Sequence, residues 1–421
     1  MSARRALRRV PLVGLVVVAC LAVACSSSGQ GAQGGGNSPT TNPHCTGKPL
    51  QFTSIVTLTG PLSIPSLTTE IKNANAAALD AVNAECALGR PIAVDLCDDK
   101  SDPNQAQQCG LEARSNGSLA LLGSSGMFDT GTTAARLPGV LTAGSTVFDL
   151  TNSQSFSSTS GLTLVVGGGG VVAGLGKHEN VFVVVDTAAS RAFVGITQKV
   201  AAAEGVKVDP LFVPASTTDY APVAAQVSEK KPGSVSIVLP NAVPFVNALA
   251  AEGITPENVP MLSAVTLMPP NVLAQLGSKA NGMYLLTQQV PPSDTDNTGI
   301  QQMLKELKDA GFKADGDALS PASTGAWSNI HALVDILEKL PKSEIATLTS
   351  SQLVEAMKTA GPIDRPEVAP FDFSKPAFPD IPSLAGFRVF SRDAMIVRVE
   401  NGKYQRVSSF SDATKPFKLS P

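Results

Sequence analysis

The sequence predicts an α/β fold, and three observations carry that prediction. Short continuous apolar runs rich in β-branched residues alternate along the chain with stretches of helical spacing. These runs are apolar throughout rather than alternating with polar residues, the pattern of parallel strands buried on both faces. Glycine, serine and threonine gather just past the ends of the runs, where helices begin.

Taken in order, residues 50–58 are β-rich until Thr59-Gly60-Pro61 breaks the run. Residues 68–84 place alanine-rich apolar positions at helical spacing. Residues 92–96 read as the second strand, and residues 103–114 as a helix that Asp102 caps and Pro103 opens. Residues 119–122 end in Gly123-Ser124-Ser125-Gly126, and residues 140–143 in Gly144-Ser145-Thr146. Residues 181–185 end at Asp186-Thr187 before a helix over 193–204. Residues 235–239 end at Pro240-Asn241 before a helix over 243–252, and Met261-Leu262 ends at Ser263-Ala264.

Ahead of the first strand, Arg4, Arg5, Arg8 and Arg9 precede an apolar stretch over 10–24, the pattern of a secretory leader over residues 1–24. At roughly 15 residues the stretch is too short to span a bilayer. Residues 25–44 continue as a Ser/Gly-rich flexible tether. The segment Leu21-Ala22-Val23-Ala24-Cys25 resembles the lipobox of bacterial lipoproteins. That resemblance implies diacylation of Cys25 and a membrane anchor on the extracytoplasmic face; Cys20, in a second small-residue context, and an ordinary cleaved leader are the alternatives.

Without the four leader arginines, 28 basic residues face 35 acidic ones, a net charge of −7 that argues against a nucleic-acid partner. A chain of 421 residues has length enough for two cores. Cys45, Cys86, Cys97 and Cys109 remain in the exported part, an even number that reads as two disulfides. Three pairings are possible, and proximity in the chain favours Cys97 with Cys109 and Cys45 with Cys86. A zinc site is the lesser alternative: no Cys-x-x-Cys occurs, and His44, His178 and His331 are far apart.

In open parallel sheets, ligands bind outside the carboxyl ends of the strands, where free N–H groups at helix starts favour polar or anionic groups. Thr57, Thr59, Gly60, Ser124, Ser125, Gly126, Gly144, Ser145 and Thr146 all stand at such ends. Each singly is accounted for by helix capping; their recurrence points to a shared cleft.

Here the chain resembles the type I substrate-binding proteins of ABC importers, the group that includes leucine/isoleucine/valine-binding proteins. The similarity runs from about Leu50 to Val399. It is carried by Thr57-Leu58-Thr59-Gly60-Pro61, the stretch from Cys97 through Asp98-Asp99 to Ala106, Gly123-Ser124-Ser125, Thr217-Thr218-Asp219-Tyr220 and Phe371-Asp372-Phe373-Ser374-Lys375-Pro376. The resemblance implies two doubly wound parallel-sheet lobes joined by a three-segment hinge: residues 45–165 plus 288–378, and residues 166–287 plus 379–421. It implies a monomer that captures a small-molecule ligand and delivers it to an ABC permease, with no cofactor and no catalysis.

In amino-acid-binding members a first-lobe serine and nearby main chain grip the ligand carboxylate, and a second-lobe acid pairs with the ammonium. Carried over, the first role falls on Ser124, Ser145 and Thr146. The second finds Ala264 in the acid's place, leaving Asp186, Asp129 or Asp149 as substitutes, with Asn241 and Ser263 as further lining. The expected ligand is therefore a small polar compound: an amino acid, an amide, a hydroxylated compound or a carboxylate.

Other classes find little in the sequence. No Gly-x-Ser-x-Gly, His-Glu-x-x-His or phosphate loop with its lysine marks an enzyme. A ligand-sensing or scaffolding lipoprotein of the same fold is the alternative function. Trp327 lies among Ile330, Leu333, Val334 and Leu337 at helical spacing and is expected in the core. His331 is expected on a helix face without a special role. Asp98, Asp99 and Asp102 lack the spacing of a calcium loop. The Gly167–Gly170 run either eases a hinge or lets a helix pack closely.

Overall fold

Two sheets organise the structure, a computed structural model that describes residues 45–419. The leader with Cys20 and the whole tether, Cys25 and His44 included, lie outside the described residues. The first sheet holds β1 (Leu50–Val56), β2 (Ile92–Asp98), β3 (Leu121–Leu122), β4 (Gly139–Thr142) and β5 (Ser155–Ser157). They are ordered β2-β1-β3-β4-β5, and every pairing is parallel. Helices α1 (Pro65–Glu85), α2 (Pro103–Ser115), α3 (Asp129–Ala135) and α4 (Val147–Thr151) connect them. Six of the seven β1 residues are buried, which accounts for its continuous apolar run. Helix α1 begins at Pro65, a turn before the expected position, and buries Ala74, Ala77 and Ala78, whose small side chains allow close helix packing.

After α5 (Gly161–Gly174) the second sheet follows: β6 (Glu179–Val185), β7 (Lys207–Val213), β8 (Val235–Val238), β9 (Met261–Ala264) and β10 (Tyr284–Thr287), connected through α6 (Ala188–Ala203), α7 (Ala221–Glu229), α8 (Ala242–Ala251) and α9 (Pro270–Leu276). The chain then returns to the first layer. There α10 (Thr298–Asp309) and α11 (Pro321–Leu337) pack on α1, followed by α12 (Lys342–Ala346), α13 (Ser350–Thr359) and the short pair β11 (Pro362–Ile363) and β12 (Phe371–Asp372). Finally β13 (Asp393–Glu400) joins β10 antiparallel and is extended by β14 (Lys403–Arg406) and β15 (Ser411–Asp412). The strand order is β14-β13-β10-β9-β8-β6-β7, with β15 on β13.

The chain therefore passes between the two layers three times: after β5, after β10 and ahead of β13. Beneath these crossings Phe156, Phe373 and Phe390 form an aromatic cluster, with ring centroids 5.3–5.9 Å apart and the Arg388 guanidinium 4.9 Å from the rings of Phe156 and Phe390. The glycine run lies inside α5 and serves close packing. A Cβ on Gly170 would stand 2.6 Å from the Lys415 carbonyl oxygen, and one on Gly167 would stand 2.8 Å from Leu286.

Cys45 is bonded to Cys86 and Cys97 to Cys109, so all four thiols of the domain are consumed in disulfides. Asp102 caps α2 by accepting from the Asn104 and Gln105 N–H groups. Trp327 is fully buried. His331 departs from the expected plain helix-face role. It is 8% exposed, and its Nε2 lies 2.9 Å from Glu306 Oε2, which also accepts from the Trp327 indole at 2.6 Å. Burial pushes the Glu306 carboxyl up, but the bonds from His331, Trp327 and Gln302 prevail and hold it below the usual range. Among the described residues no helix is long and apolar enough to cross a membrane.

Candidate functional site

Topology decides where a ligand cleft can lie. β5 and β10 both run into crossings at their carboxyl ends, and β1–β5 and β6–β10 are parallel within their sheets. The carboxyl ends of both sheets thus turn toward the crossings, and the loops leaving them form two rims.

On the first rim, two adjacent carboxylates at the end of β2 staple the loops. Asp98 Oδ1 accepts from the N–H groups of Leu58 (2.9 Å), Thr59 (3.2 Å) and Lys100 (2.9 Å), and its Oδ2 accepts from Thr59 Oγ1 (2.6 Å). Asp99 Oδ2 accepts from Thr57 Oγ1 (2.8 Å) and the Met127 N–H (3.1 Å), and its Oδ1 accepts from the Ser101 N–H (2.9 Å). Although partial burial raises the Asp98 carboxyl, its hydrogen bonds outweigh it and hold the group below the usual range. Gly60, at φ +96°, comes so close to the Lys100 carbonyl that a Cβ would stand 2.2 Å from its oxygen. Thr57, Thr59 and Gly60 therefore shape the rim with their polar groups already engaged.

The serines and threonine of the other first-rim loops divide in the same way. Ser124 Oγ accepts from the Ile55 N–H at 3.1 Å, tying β3 to β1. Ser125 is exposed and donates its N–H to the Ile55 carbonyl, while Gly126 is buried beside Asp99. Thr146 completes a capping box with Asp149: its Oγ1 accepts from the Asp149 N–H (3.2 Å) and donates to Oδ2 (2.9 Å). Burial pushes the Asp149 carboxyl up. Gly144, at φ +54°, faces Ser160. Ser145 differs from its neighbours: its Oγ is buried and, among the described residues, has no hydrogen-bond partner. Ser158 Oγ, past the end of β5, shares that condition.

On the second rim, Asp186 is exposed and held bidentately by Arg191, with Nε and Nη2 each at 2.8 Å. Thr187 caps α6 through the Ser190 N–H at 3.1 Å. Asn241 is exposed at the start of α8. Ser263 Oγ donates to the Ile237 carbonyl at 2.7 Å, so its hydroxyl serves the β8–β9 seam. Back on the first rim, Asp129 stands at the start of α3 with Oδ1 buried and unpartnered among the described residues. Ser158, Arg191 and the Asp98–Asp99 staples do not emerge from the strand-end pattern. The polar run Ser157-Ser158-Thr159-Ser160 and the five-residue spacing of Asp186 and Arg191 signal the first two, and Asp98-Asp99 stand in a stretch that carries the family resemblance.

An open hollow of about 510 Å³ lies elsewhere, around Lys48, Arg90 and Lys342. Its Arg90 guanidinium is spent on the carbonyls of Lys48, Pro49, Ile345 and Ala346.

No curated protein matches the chain. Solved structures do, at identities that speak to the fold. A fatty acid ABC transporter substrate-binding protein from Thermomonospora curvata is 18% identical with a TM-score of 0.70, covering 90% of this chain and 97% of its own. A solute binding protein of an ABC transporter from R. palustris, in complex with 4-hydroxybenzoate, is 18% identical with a TM-score of 0.70, covering 87% and 98%. A leucine binding protein from Thermotoga maritima is 14% identical with a TM-score of 0.65, covering 86% and 99%. The sequence model of the periplasmic binding protein family matches residues 49–403, which take in the first sheet, all three crossings and the second sheet through β13, and the chain belongs to that family.

Proposed function

We propose that this protein is the extracytoplasmic solute-binding component of an ABC importer, tethered to the membrane through Cys25, and that its ligand is a small organic carboxylate without an ammonium group. The ligand is held between two lobes, residues 45–165 plus 288–378 and residues 166–287 plus 379–421. They close on it by hinge bending and hand it unchanged to the permease, because only closure brings both rims into contact with it.

The observation that carries the ligand class is the buried, unpartnered Ser145 hydroxyl at the end of β4. A buried donor without an acceptor is costly, and a carboxylate oxygen would satisfy it. The second rim supports the lack of an amine. Asp186 is committed to Arg191, Asn241 is neutral and residue 264 is alanine, so a ligand ammonium would meet no free carboxylate on that rim. Fatty acids and 4-hydroxybenzoate, named for two of the structural relatives, are carboxylates without an amine.

Calorimetric titration with 4-hydroxybenzoate, octanoate and leucine tests this. Binding of either amine-free acid with at least a tenfold preference over leucine is expected. A preference for leucine would refute the ligand class while leaving the fold and the importer role standing.

A further inference from the structure

Gln288 lies in the second crossing and is 1% exposed. Its Oε1 accepts from the Ser160 N–H in the first crossing at 2.6 Å. Its Nε2 donates at 3.0 Å to the carbonyl of Asp393, the first residue of β13, where the third crossing ends. Its own carbonyl accepts from the Ala369 N–H at 2.8 Å. One side chain thus bonds the main chain of the first crossing and of the strand into which the third crossing runs. Ser160 in turn caps α5 and donates from Oγ to the Gly144 carbonyl at 3.2 Å, one residue before Ser145.

We infer that Gln288 is the positioning residue that sets the angle between the lobes and ties it to the Gly144-Ser145 loop. This rests on the hinge closure proposed above. Bending at three segments shifts them relative to one another, and the Gln288 amide fixes the spacing of residues 160 and 393. An amide is suited to this because it accepts at one end and donates at the other, whereas a carboxylate only accepts and a hydrocarbon does neither. Buried as it is, water does not readily replace either bond.

The test uses the full chain without ligand, so a failure to bind carboxylates leaves it intact. Small-angle scattering reports the lobe angle, and amide exchange reports the Ser160 N–H. In Gln288→Leu, exchange at Ser160 is expected to rise roughly tenfold and the scattering profile to depart from wild type. In Gln288→Glu, which keeps the acceptor and loses the donor, Ser160 is expected to stay protected while the profile departs as in the leucine variant. Wild-type scattering from both variants overturns the inference. So does wild-type scattering from the glutamate variant alone, because a single bond then suffices. Should the leucine variant not fold, the glutamate variant decides by itself.

Discussion

Replacing Ser145 by alanine removes a hydroxyl whose oxygen is buried and bonded to nothing among the described residues. In the ligand-free protein, an unsatisfied buried polar group costs about 1–3 kcal/mol. The alanine variant should therefore fold at least as well as wild type, up to about 1 kcal/mol better, which for a chain of this size raises Tm by about 2 °C. In the complex, a hydroxyl donating to a carboxylate contributes about 1.5–3 kcal/mol, so Kd should rise by about 10- to 150-fold. Ser124→Ala is the contrast. Its Oγ accepts from the Ile55 N–H, so its loss should lower stability by about 1 kcal/mol with or without ligand. Thermal melts of the free variants, paired with titration of whichever acid binds, separate the two. A Ser145→Ala protein that melts lower than wild type and binds with unchanged affinity would refute both the orphan hydroxyl and its role in the cleft.

Two further perturbations test the surrounding structure. Glu204 presents both carboxylate oxygens to a buried position beside Gly169, and burial, then the nearby Asp412, push its carboxyl from 4.5 up to about 7. A raised acid favours the protonated folded state, so its penalty is absent below 4.5, grows up to about pH 7 and is complete above it. Discounted for a half-buried side chain, it is about 1–2 kcal/mol. Glu204→Gln should accordingly raise Tm by about 2–4 °C at pH 8 and leave it unchanged at pH 4; an equal gain at both values contradicts the assignment. Glu306→Leu leaves the Trp327 indole and His331 without their buried acceptor, and a loss of about 2–3 kcal/mol is expected. Because Trp327 is the chain's single tryptophan, its emission should shift as well, and an unaltered spectrum argues against the contact.

The α/β architecture is legible because parallel strands buried on both faces have no reason to alternate: Val181–Val185 and Val235–Val238 appear as runs in the sequence and as neighbouring strands β6 and β8. β5 is not legible, since Ser155-Phe156-Ser157 owes its place to β4 alongside and to the aromatic cluster beneath it. At the site, the strand-end rule finds the hydroxyls but not their employment. Ser124, Thr146 and Ser263 resemble Ser145 in sequence, yet each is committed to a partner and Ser145 is not. Partners 69 and 26 residues away, as for Ser124 and Ser263, leave no local trace. The same holds for His331 and Glu306, 25 residues apart on different helices, and for Gln288, which an isolated strand ending reads as an ordinary polar residue.

The Cys45–Cys86 bond determines how the domain would meet a mechanical load. Cys45 opens the described chain five residues before β1, and Cys86 caps the far end of α1. A pull on the N-terminal end would be delivered through the covalent bridge to a 21-residue helix packed on α11, instead of peeling β1 out from between β2 and β3. Under such a pull the domain would resist by shear along a helix rather than by unzipping an inner strand of its first sheet.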